Sequence, residues 1–152
     1  MNAYSNPSVD AGRLRMKTFR QQIRPAGAYY AARFSVSEEE EELLCLRRLY
    51  SRDGNPLFLE ELVLPKHSAE RKRVPLPERG SLWKLPLPGV HTTRQSLELV
   101  ELERRDLRIL RLREERAALC LEREYLDSEG RVIALQRVLI PEGGEEELIV
   151  ER

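Results

Sequence analysis

The chain uses one pattern twice, and that repetition limits the folds open to it. Leu44 to Pro65 reads LCLRRLYSRDGNPLFLEELVLP, and Leu119 to Pro141 reads LCLEREYLDSEGRVIALQRVLIP. Both copies open Leu-Cys-Leu. Both then carry an Arg and a Tyr two residues apart, Arg48 with Tyr50 and Arg123 with Tyr125. Both set a Gly in a polar turn, Gly54 and Gly130, and both end in a Pro eleven residues later. A single residue inserted before Gly130 is the only gap. Such self-similarity marks a duplicated supersecondary unit.

Each unit reads as a β-hairpin. Leu44, Leu46, Arg48 and Tyr50 alternate with Cys45, Arg47, Leu49 and Ser51, so each set takes one face of a strand. Arg52-Asp-Gly-Asn55 is turn chemistry, with Gly54 free to adopt positive φ. Leu57 to Leu64 returns, and Pro65 stops the strand. A lone hairpin is marginal in water, so two of them call for one shared antiparallel sheet.

The remaining segments supply further elements. Residues 1–12 read as a polar tail, and Leu14, Met16, Phe19 and Ile23 suggest a short amphipathic helix over 13–23. Tyr29 to Val36 looks like a strand. Ser37 with Glu38 to Glu42 fits a capped turn and a solvated acidic loop equally. Lys66 to Pro77 reads as a loop, and Ser81 to Leu85 as one helical turn capped by Ser81. Thr92 to Leu102 reads as a strand, Glu103 to Arg113 as a short helix, and Leu148 to Val150 as a last edge strand. The expected class is α+β, an antiparallel sheet of about six strands built from two repeated hairpins with short helices. Residues 1–28 would form the tail and helix, and 29–152 a single domain.

Composition sets bounds on function. Lys plus Arg and Asp plus Glu are equal at 26 each, which argues against a dedicated nucleic-acid module. No apolar run approaches the roughly 20 residues of a membrane-spanning helix, and no secretory leader is visible. Cys45 and Cys120 read as buried thiols of a reduced cytoplasmic protein. His67 and His91 lack metal-ligand spacing, and Arg71-Lys72-Arg73 reads as a solvated patch. Phosphate loops, dinucleotide glycines and nucleophile elbows are missing. Neither cofactor nor metal nor catalytic residue is expected.

The first hairpin resembles the UTRA domain, the effector-binding half of GntR-type transcription regulators of the HutC subfamily, which shares the chorismate lyase fold. The residues that carry the resemblance are Arg48, Tyr50, Gly54, Pro56, Glu60 and Pro65, followed by Ser81 to Trp83 and Leu97 to Leu99. It covers roughly residues 29 to 141. The resemblance implies a small, often anionic metabolite held between the two halves. By matching position the candidate ligand-binding residues are Arg48, Tyr50, Glu60, Ser81 and Arg123. It also implies a small-molecule effector; exposed edge strands suggest a homodimer by sheet or hairpin contact, and neither direct contact to nucleic acid by this chain nor a membrane is expected. For Arg48 and Arg123 an alternative is internal pairing with Glu60, Glu61, Glu122 or Glu124.

The chain departs from the family pattern in places. Ala134 stands where the family carries an acid, and Ile140-Pro141 replaces later polar and aromatic positions. Chorismate lyases carry an Arg and an acid on their return strands. Here those places hold Glu61 and Arg137, with the charges exchanged. The alternatives are therefore a chorismate lyase-like enzyme on a small aromatic acid, or a degenerate scaffold that kept the fold and lost its ligand.

Overall fold

The computed structural model describes residues 14–66, 87–114 and 117–142. The two repeats form the two hairpins expected of them. Strand β2 (Glu42–Arg52) pairs with β3 (Asn55–Pro65), and β5 (Ala117–Leu126) pairs with β6 (Val132–Pro141). At the first turn Asp53 (φ 51°) and Gly54 (φ 79°) both sit at positive φ, the tight two-residue turn that matches strand twist. At the second turn the Asp127 carboxylate accepts the backbone N–H groups of Glu129 and Arg131, each at 2.9 Å.

Two strands precede the hairpins at equivalent places, β1 (Leu14–Pro25) before the first and β4 (Thr92–Glu101) before the second. The sheet order is β1-β2-β3-β6-β5-β4, antiparallel throughout. Two three-stranded halves thus meet at β3 and β6. Each half carries one helix between its first two strands, α1 (Gly27–Phe34) and α2 (Arg104–Ile109).

Both helices lie on the face that bears Cys45 and Cys120. Ala31 and Phe34 of α1 pack with Leu43, Cys45, Val63 and Leu135. Leu107 of α2 packs with Leu59, Cys120 and Leu139. The helices are also tied crosswise to the other half. Arg33 of α1 donates to Glu122 and Glu124 of β5 at 2.8 and 2.9 Å, and Asp106 of α2 accepts from Arg47 of β2 at 2.6 Å. The opposite face is apolar as well, with Leu44, Leu46, Leu62 and Leu64 in one cluster and Tyr50, Phe58, Leu121, Val138 and Ile140 in another.

Two expectations are corrected. Residues 14–25 form a strand, not an amphipathic helix. The register slips at Phe19, so Ile23 returns to the face of Leu14 and Met16 after an odd interval. That bulge imitates a helical spacing. Residues 27–34 form a helix, not a strand. The aromatic run Tyr29-Tyr30 favours strands locally, but Tyr30, Ala31 and Phe34 fall on one helical face and pack on the sheet. Ser35 ends the helix in the left-handed region. Ser37 caps a short turn by accepting the Glu40 backbone N–H at 3.3 Å. The expected elements over 67–86 and Leu148–Val150 lie outside the described residues.

The two cysteines are free and buried. Strands β2 and β5 are separated by β3 and β6, roughly 14 Å at about 4.8 Å per strand, too far for a bridge.

Candidate functional site

The alternation of β2 sends Arg48 and Tyr50 to the face opposite the helices, and the register sets Glu60 of β3 directly across from Arg48. All three are buried, Arg48 at 2% and Glu60 at 0% exposure. Arg48 Nε donates to Glu60 Oε1, and the Tyr50 hydroxyl donates to the same oxygen at 3.3 Å. Burial favours the neutral guanidine, but the hydrogen bond and charge of Glu60 outweigh it and raise the Arg48 pKa.

The second hairpin brings the matching residues to the same place. Gln136 of β6 donates through Nε2 to Glu60 Oε2, and the Tyr125 hydroxyl donates to Gln136 Oε1 at 2.6 Å. Burial raises the Tyr125 pKa, which keeps that phenol a donor. Arg123 stands across β5–β6 from Gln136, and its Nε donates to Gln95 of β4 at 3.1 Å. In repeat terms Arg48, Tyr50 and Glu60 of one copy meet Arg123, Tyr125 and Gln136 of the other. Among the described residues six buried polar side chains therefore form one cluster, with exposed Gln95 at its rim, on a face whose other buried residues are apolar. Among the described residues its charged members are two guanidinium groups and one carboxylate.

Four of the five expected residues, Arg48, Tyr50, Glu60 and Arg123, thus converge, and Ser81 lies outside the described residues. Tyr125 and Gln136 were missed. The repeat contained the signal for both, since Tyr125 matches Tyr50 and Gln136 matches Glu60.

Glu60 and Glu61 face opposite sides of the sheet, as alternation requires. Glu61 pairs in register with Arg137. These two residues and Tyr30, Arg33 and Glu122 line a cleft of about 350 Å³ under α1. Arg137 Nε donates to Cys120 Sγ at 3.2 Å. Burial raises the Cys120 pKa against the opposing pull of Arg137, so this thiol is held protonated. Among the described residues no group of three His, Cys, Asp or Glu side chains is placed to hold a metal ion. No described helix is long and apolar enough to cross a membrane.

Residues 11–142 match the UTRA domain family. The chain belongs to that family. As a UTRA domain it shares its fold with the effector domain of PhnF from Mycobacterium smegmatis, at TM-score 0.72 and 19% identity over 86% of this chain and 82% of that one. The C-terminal domain of the histidine utilization repressor from Pseudomonas syringae pv. tomato str. DC3000 superposes at TM-score 0.71 and 13% identity, over 86% and 92%. A GntR-family transcriptional regulator from Enterococcus faecalis V583 does so at TM-score 0.67 and 12% identity, over 85% and 90%. No curated protein matches the chain. The six-stranded antiparallel sheet is of the chorismate lyase type that the resemblance implies.

Proposed function

We propose that this UTRA domain binds a small anionic metabolite at the Arg48–Glu60–Arg123 cluster and works as a non-catalytic, dimeric effector domain in the cytoplasm. One observation carries the reading: the repeated Arg–Tyr pairs of both hairpins converge on one buried polar cluster. A stable core does not need such a cluster, because apolar side chains of similar volume serve stability as well or better. A buried cluster that carries two guanidinium groups suits a negatively charged ligand. The relatives named above are an effector domain, a domain of a repressor and a transcriptional regulator, which supports an effector role over catalysis.

Thermal unfolding against sugar phosphates, amino acids and hydroxybenzoates tests this reading. A ligand at about a hundred times its Kd stabilises the native state by roughly 2.7 kcal/mol. For a domain of this size that is a rise of roughly 5–10 °C. A rise confined to one class of anion, and lost in Arg123→Gln, supports the proposal. A second reading, the emptied scaffold, is favoured by Glu60, whose carboxylate already accepts from Arg48, Tyr50 and Gln136. A flat response across the panel selects it.

A further inference from the structure

Among the described residues the two edges of the sheet are built differently. Edge strand β1 carries Arg15, Lys17, Arg20 and Arg24 and is broken by the bulge at Phe19. Basic side chains and bulges are the usual means of keeping an edge from pairing. Edge strand β4 has neither device to that degree. It runs ten residues in unbroken register with β5, contains no Pro and no Lys, and its one basic residue is Arg94. Its side chains are exposed along nearly the whole strand. Leu97 and Leu99, on one face, are 59% and 71% exposed. A ten-residue edge in unbroken register with two exposed leucines is a template for another strand.

We propose that the occupant of this edge is β4 of a second copy, paired antiparallel about a two-fold axis at Ser96. This rests on the homodimer proposed above and names its interface. The axis stands normal to the sheet, because only that symmetry keeps like faces together in a continuous sheet. Side chains then meet only in registers centred on a residue, and charge chooses among them. Centred on Ser96, Arg94, whose exposed guanidinium already reaches Glu124 of β5 at 3.1 Å, stands across from Glu98 of the partner strand, and the symmetry makes that pair twice. Centred on Glu98, two carboxylates oppose each other. Centred on Leu97 or Leu99, neither Arg94 nor Glu98 meets an opposite charge. Opposed unlike charges stabilise a cross-strand pair and like charges weaken it. In the Ser96 register Leu97 also lies diagonally beside its own copy, and Thr93 faces Leu99. The exposed leucines are thereby covered on one face while the ion pairs form on the other. The six-stranded sheets of both copies join into one.

Cross-linking with a cysteine on the axis tests the proposal. Under mild oxidant Ser96→Cys should run at twice the chain mass on a non-reducing gel. The parent, whose own two thiols are buried, should not. In solution the parent should sediment as a dimer. Leu97→Lys with Leu99→Lys should weaken it by about tenfold or more and leave monomer Tm unchanged, since both sites are exposed. A parent that stays monomeric at high concentration overturns both the dimer and this edge. A parent dimer that gives no Ser96→Cys cross-link and is unmoved by the lysine pair overturns only the edge, and places the contact elsewhere.

Discussion

Glu61 and Arg137 stand directly opposite one another where β3 meets β6, and they occupy the same position in the two hairpin repeats. The pseudo-two-fold of the domain therefore passes between them. On one side of the sheet they sit under α1. On the other side their neighbours Glu60 and Gln136 are hydrogen-bonded across the same axis. The duplicated unit has diverged at the axis itself, acid against base on one face and acid against amide on the other.

The Arg48–Glu60 pair should behave as a buried ion pair. Arg48→Met alone leaves the Glu60 carboxylate at 0% exposure and should cost about 3–5 kcal/mol in urea unfolding. Arg48→Met with Glu60→Leu removes both charges and should recover most of that loss. A double variant as weak as the single one means that packing, not charge, sets the cost.

Gln136→Glu should make stability fall with rising pH. It places a second carboxyl against Glu60 Oε2, where both cannot ionise freely. One proton is then held by the folded pair above its unfolded pKa of about 4.3. A group raised in the folded state contributes most below its unfolded pKa and loses that contribution as pH climbs through the folded value. Unfolding free energies of variant and parent should diverge from about pH 5 upward. Parallel curves would count against direct contact.

Asp127 titrates in the opposite sense. The Arg131 backbone N–H, and then that of Glu129, hold its carboxyl below the ordinary carboxylate range. A lowered pKa means a contribution that is present above the unfolded value of about 3.9 and is lost as pH falls through the folded one. In a carboxyl NMR titration Asp127 should move below the ordinary carboxylate range. Asp127→Ala should erase the acid-side difference in hairpin stability.

Gly54→Ala separates strain from space. An added Cβ meets nothing within 4 Å, yet φ is 79°. The expected cost is about 1–2 kcal/mol, from the left-handed backbone alone. Gly54→Asn, which tolerates that region better, should cost less. Equal losses for both would point to a contact instead.

Much of this architecture was legible along the chain because it is local. Alternation over eight residues, a Gly-containing turn and a closing Pro specify a hairpin without help from elsewhere, and the chain specifies it twice. The opposite faces of Glu60 and Glu61 follow from the same alternation. Where local preference was weak, tertiary contacts decided. The segment 14–25 takes its shape from pairing with β2, with a bulge that disguises its period. The segment 27–34 is helical because Ala31 and Phe34 find an apolar sheet to cover. Only the tertiary structure set β3 beside β6, since no turn joins them and their pairing links residues far apart in the chain. That junction turns two separate Arg–Tyr pairs into one buried cluster around Glu60 and Gln136, and it leaves β4 as the unguarded edge.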